Sequence, residues 1–123
     1  MSQRTIKFRA WDKKYKIMRE WDWLLDKQCS VLNSKHFISM LSTGLLDRNK
    51  KEIFEGNLLE IQEHYCGDNK YPKGIFKVIY KDAEFYATSK LEEYVSLFDA
   101  IKNFNGIVIG NIWQNKNLFK EKK

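Results

Sequence analysis

The sequence predicts one mainly β domain, either a small barrel or a β-rich α+β fold. Three observations predict it. Short apolar–polar alternations recur along the chain, separated by Gly, Asp and Asn turn clusters. A single 3.6-residue stripe appears late, over Ser89–Asn105. The 123 residues, 43% of them hydrophobic, suffice for one core.

Thr5–Trp11 alternates, with Ile6, Phe8 and Ala10 on one face and Lys7, Arg9 and Trp11 on the other. Asp12-Lys13-Lys14 turns the chain, and Tyr15–Met18 pairs back as a hairpin. Glu20–Leu25 alternates again, which predicts a strand carrying Trp21, Trp23 and Leu25 on one face. Asp26–Ser34 reads as a polar loop, and Phe37–Leu41 as a strand. That strand leads into Thr43–Ile61, the stretch around which the chain is organised.

Within that stretch Asp47, Arg48, Asn49 and Lys50 supply a reverse turn. Glu52–Phe54 is extended, Glu55-Gly56-Asn57 turns, and Leu58 begins a strand that runs to about Gln62. A glycine between two extended runs marks a backbone position with positive φ. His64–Gly74 holds the one proline, Pro72, and is the longest loop signal, a site expected to be mobile. Phe76–Tyr80 and Glu84–Thr88 read as a hairpin joined through Lys81-Asp82-Ala83.

Over Ser89–Asn105, Leu91, Tyr94, Val95, Phe98, Ile101 and Phe104 form the stripe of a helix that faces the core. Ser89 and Glu92 have capping-box spacing, and Gly106 follows as a stop. Ile107–Trp113 is a closing strand covered on both faces, with a bulge at Gly110. Residues 114–123 are a polar tail on which Leu118 and Phe119 could dock. Nothing divides the chain, so 1–123 is read as a single domain.

Composition bears on function. Aromatics make up 15%, more than so small a domain hides, so some rings are expected to face a partner. Lys and Arg number 22 against 16 Asp and Glu, a net charge of +6. That charge suits nucleic acid or an acidic partner, although scattered lysines also serve simply as a solvated surface. Cys29 and Cys66 form no C-x-x-C pair, and His64 and Cys66, with His36 upstream, lack zinc-ligand spacing. No phosphate loop or nucleophile signature is present, so no enzymatic activity, metal or cofactor is expected. Without an apolar leader or a run of about 18 apolar residues, the chain reads as soluble, intracellular and reduced, with no membrane partner.

Two surfaces emerge as candidates. Trp21 and Trp23, flanked by Glu20, Asp22 and Asp26, resemble the indole anchors of a protein interface; burial in the chain's own core is the plain alternative. Lys7 and Arg9 beside Trp11 could set cations on phosphates and an indole under a base. Equally, Trp11 could fill a second small core or a subunit contact with the two cations laid over it.

Three segments resemble the YopX family of small phage and prophage proteins. The family's opening I-K-F-R-A-W-D is matched by Ile6 through Asp12. Its central Q-Y-T-G-L-x-D-K-N-G-K-E-I-Y-E-G-D is matched at Thr43, Gly44, Leu45, Asp47, Asn49, Lys51, Glu52, Ile53, Glu55 and Gly56. Its closing V-I-G-N-I-Y-E-N-P is matched at Val108, Ile109, Gly110, Asn111, Ile112 and Asn115. Three positions depart: Lys50 stands where the family has glycine, Asn57 where it has Asp, and Lys116 where it has proline. The glycine loss implies a turn of another type or a strained one. Asn57 argues against any role needing negative charge there. The resemblance implies an SH3-like barrel, self-association, and a phage gene product acting in the cytoplasm of a bacterial host. It brings no reaction with it. The matched residues are glycines, turn polars and alternating apolars, which specify a backbone. The expectation is therefore a non-enzymatic module that binds a host protein, such as a replication, transcription or defence component. Direct nucleic-acid binding through Lys7, Arg9 and Trp11 is the alternative.

Overall fold

The computed structural model describes residues 7–27, 34–71, 73–90 and 93–119. The elements in chain order are β1 (Phe8–Asp12), β2 (Ile17–Arg19), α1 (Trp21–Asp26), β3 (Phe37–Leu46), β4 (Glu52–Phe54) and β5 (Asn57–Ile61). There follow β6 (His64–Cys66), β7 (Asn69–Tyr71), β8 (Gly74–Lys81), β9 (Glu84–Thr88), β10 (Tyr94–Ser96), α2 (Leu97–Lys102) and β11 (Ile107–Asn111). A 3₁₀ turn over Lys116–Phe119 ends the described chain.

The strands form a four-stranded sheet ordered β2-β1-β3-β4, a five-stranded sheet ordered β10-β9-β8-β5-β11, and the small β6-β7 hairpin. Among the described residues the strand pairs are all antiparallel. The larger sheets curl into a half-barrel, the β-rich small fold the alternations predict. Ile53, Leu59, Ile61, Phe76, Val78 and Ala87 bury their side chains against Leu97, Ala100 and Ile101 of α2. Leu45, Phe85, Val95, Phe104 and Val108 close over that core.

The turn between β4 and β5 joins the two sheets. Glu55 N–H donates to Leu41 O of the first sheet (3.1 Å), while Gly56 N–H donates to Val78 O of the second (2.9 Å). Ile112 N–H donates to Gly56 O (3.0 Å). Gly56 sits at φ +82°, and a β-carbon there would run into the Trp113 ring.

Side chains lock this joint. Asp47 is 4% exposed; its Oδ1 accepts from Asn49 N–H and Lys51 N–H, and its Oδ2 from Val108 N–H, all at 2.8 Å. It thus shapes its own turn and fastens that turn to β11. Lys50 holds φ +65° there, so a lysine takes the left-handed position that glycine would fill without strain. Asn57 Oδ1 accepts from Phe54 N–H (2.7 Å), and its Nδ2 donates to Gly110 O (3.1 Å). An Asp could make the first bond but has no donor for the second. The register of β11 against β5 shifts between Val108 and Gly110, the predicted bulge, and a β-carbon on Gly110 would meet the Asn115 amide.

Other readings are corrected. Glu20–Leu25 is no strand: Trp21–Asp26 is α1, with Leu24 N–H donating to Glu20 O (3.1 Å) and Lys27 N–H to Trp23 O (3.2 Å). Trp21, Leu24 and Leu25 also satisfy i, i+3, i+4 spacing, and Leu24 is wholly buried. The His64–Gly74 loop signal contains a hairpin, β6 with β7, turned at Gly67 with φ +65°. The expected 89–105 helix shrinks to α2, because Val95 pairs with Ala87 and β10 joins the sheet edge. Its N-cap is Ser96, whose Oγ accepts from Asp99 N–H (3.2 Å), and Ser89 instead meets Glu93 (3.1 Å). Val95, Ile101 and Phe104 face the core, whereas Tyr94 and Phe98 are exposed. Leu91 and Glu92 lie outside the described residues, as do 28–33 of the expected loop. β3 runs five residues past the expected end, from Leu41 to Leu46.

Candidate protein-docking surface

The surface begins at Asp12, where β1 turns into β2. Its carboxylate is 2% exposed. Oδ1 accepts from Lys14 N–H (3.0 Å) and Tyr15 N–H (3.1 Å); Oδ2 accepts from Arg19 Nε (3.2 Å) and Nη2 (3.1 Å). Burial pulls its pKa upward, but the bonds from Tyr15, Arg19 and Lys14 outweigh it and hold the group below its ordinary value.

Asp12 in turn aims Arg19, whose guanidinium lies over the Trp23 ring at 4.5 Å. Register places Ala10, Asp12, Ile17, Arg19 and Phe37 on one sheet face. α1 lies on that face. Trp23 stacks on Phe37 (6.0 Å between centroids), Trp21 tilts against Phe8 (6.2 Å), and Lys27 Nζ stands 5.8 Å from the Trp23 centroid. Two helical residues are about 200° apart, so Trp21 and Trp23 flank the helix rather than sharing a strand face. Both rings remain half-buried. On α1 Leu25 is 50% exposed, on the same sheet face Ile17 is 44% exposed, and in the β1–β2 turn Tyr15 is 61% exposed.

The result is a set of anchored rings with exposed aliphatic neighbours, two cations (Arg19, Lys27) and acids at Asp22 and Asp26. Apolar anchors of this type, with Arg and Trp at the centre and charge at the rim, make protein contacts. The sequence signal for Trp21 and Trp23 was their pairing. Arg19, Phe37 and Leu25 join them only through the helix and the register.

The second set of candidates is placed differently. Trp11 is 9% exposed and stacks on Trp113 at 6.5 Å. The Arg9 guanidinium lies over Phe54 at 4.4 Å, with Nε and Nη2 buried and unbonded. Burial pushes its pKa below the ordinary arginine value, against the upward pull of Glu20 and Glu52. Lys7 Nζ pairs with Glu52 Oε1 at 3.4 Å, and Glu52 also accepts from Ser42 Oγ (2.7 Å). Trp11 and Arg9 therefore pack inward, and the three residues present no joint cation–indole face. Among the described residues no three His, Cys, Asp or Glu side chains gather as metal ligands, and no helix is long and apolar enough to cross a membrane.

Fold and surface together define a small β-rich module whose polar signature residues are engaged in holding backbone. The chain belongs to the YopX family: the model of that family, described as YopX protein, matches residues 22–120. Among solved structures it is similar to protein EF1440 from Enterococcus faecalis, at 25% identity and a TM-score of 0.67, covering 94% of this chain and 99% of that one. It also shares the fold of protein yopX from Bacillus subtilis, at 17% identity and a TM-score of 0.57, covering 93% and 98%. No curated protein matches the chain.

Proposed function

We propose that the protein is a non-enzymatic binding module that docks onto a protein of its bacterial host through the α1 surface. The observation that supports this reading is the exposure of Ile17 and Leu25, each more than two-fifths exposed, on the face where Asp12-held Arg19 lies over the Trp23 ring. The rings are already ordered, so docking on them loses little side-chain entropy. The family's phage setting makes a host replication, transcription or defence component the expected partner, in the bacterial cytoplasm. Self-association would use the same face.

The test is affinity capture from bacterial lysate with the wild-type chain and Leu25→Lys. A near-stoichiometric protein retained by the wild type and lost with the variant is expected. Light scattering of each chain alone separates a second copy from a host protein. The reading fails if no stoichiometric protein is captured, or if Leu25→Lys captures it equally.

A further inference from the structure

A second surface lies on the far side of the molecule's other sheet, on the face of β8, β9 and β10 turned away from the α2 core. Register sets Lys77, Thr88 and Tyr94 in one cross-strand row, and Ile79, Tyr86 and Ser96 in the next. Val78, Ala87 and Val95 occupy the opposite, core-facing side. With strands about 4.8 Å apart, the Lys77–Tyr94 row spans about 10 Å. The 3₁₀ turn brings Phe119 onto this face, where Lys77 Nζ and Lys90 Nζ stand 5.6 and 5.9 Å from its centroid. Lys81 Nζ stands 5.0 Å from the centroid of Tyr94, which meets Tyr86 edge-on at 5.9 Å.

Among the described residues these lysines resemble Lys14 and Lys27, which also lie on rings without a carboxylate partner, and differ from the ion-paired cations. Lys7, Arg19, Lys70 and Lys73 each pair with a carboxylate. Among the described residues Lys77, Lys81 and Lys90 pair with none; each is laid on a ring. Of the acids nearby, Glu60 is paired with Lys73, Glu84, which faces Lys81 in the register, is engaged by Tyr86, and Glu93 accepts from Ser89 Oγ. Tyr94 is 49% exposed, an open ring beside the Lys81 ammonium.

We propose that this face binds single-stranded nucleic acid, with Lys77, Lys81 and Lys90 on successive phosphates and Tyr94 stacked on a base. Positive charge tracks a backbone, and an exposed ring accepts any base. A duplex buries its bases and cannot use Tyr94. An acidic protein segment would meet the lysines too, and the polyglutamate competition below distinguishes it. This assignment is independent of the α1 surface and uses none of its residues.

The experiment is fluorescence anisotropy with labelled oligo(dT) and oligo(U) of about 16 nucleotides, titrated at salt concentrations from about 50 to 200 mM. Three phosphate contacts predict a slope of log K against log salt of about −2. Replacing Lys77, Lys81 and Lys90 together by Gln is expected to weaken binding at least about tenfold at low salt and to flatten that slope. Tyr94→Ala is expected to cost about tenfold while leaving the slope unchanged. Circular dichroism melts confirm that each variant folds. The proposal is overturned if the oligonucleotides produce no rise at low salt, or if the triple variant binds as well. It is equally overturned if Tyr94→Ala has no effect, or if polyglutamate displaces the oligonucleotide as effectively per charge, which would point to an acidic protein instead.

Discussion

At the joint between the sheets, Asp47, Asn57 and Asn111 are buried and direct their side chains at backbone groups. On α1, Trp21, Trp23 and Leu25 are half-buried or exposed, and the rings touch other rings and cations. Removing a group from the first region strands a backbone donor, which costs stability. Trimming an exposed group of the second strands nothing, so its effect should fall on binding. The positions by which the chain resembles its family belong mostly to the first region. A signature of this kind therefore reports mainly how the backbone is specified; of the α1 surface it includes Phe8 and Asp12 but not the helix residues proposed to dock.

The largest stability effect is expected from Asp47→Ala. It leaves the N–H groups of Asn49, Lys51 and Val108 without their acceptor, a loss of about 3–5 kcal/mol measurable by urea unfolding. Asp12 should show itself through pH. Its folded pKa lies below the unfolded value, so its contribution is complete above about pH 4 and is lost as pH falls through the folded pKa. Asp12→Asn should lower Tm by about 5 °C at neutral pH and flatten the acid limb of the stability profile. A smaller change of opposite sign is expected at the β8–β9 turn, where Asp82 (φ +51°) and Ala83 (φ +64°) are both left-handed. Ala83→Gly relieves that strain and should stabilise by about 1 kcal/mol, read from the urea midpoint. Leu25→Lys should leave unfolding within about 0.5 kcal/mol of wild type while abolishing partner capture, which separates the two regions most sharply.

Much of the architecture was legible wherever a local rule acts alone. The β1–β2 hairpin, the Asp47 turn, the Gly56 turn, the β8–β9 hairpin and the Gly110 bulge each follow from alternation plus a turn residue or glycine. The misses occurred where two rules fit the same residues. W-D-W-L-L-D satisfies period two and i, i+3, i+4 alike, and the buried Leu24 decided for the helix. The stripe from Tyr94 onward fits a helix, yet the free edge of β9 claims Tyr94–Ser96 as a strand. Between His64 and Gly74 the turn residues masked a hairpin. The sites were less legible still. Trp11 and Arg9 sit on a face covered by Trp113, just beyond β11, and by Phe54 of β4, and a strand does not reveal which of its faces is covered. Arg19 reaches the Trp23 ring only because Asp12, seven residues away, fixes its direction.

The most direct test of the α1 assignment is hydrogen–deuterium exchange of the captured complex against the free chain. The account predicts added protection in residues 17–27, with the joint at 47–57 unchanged. Protection confined to other segments, with 17–27 exchanging as in the free chain, would contradict it.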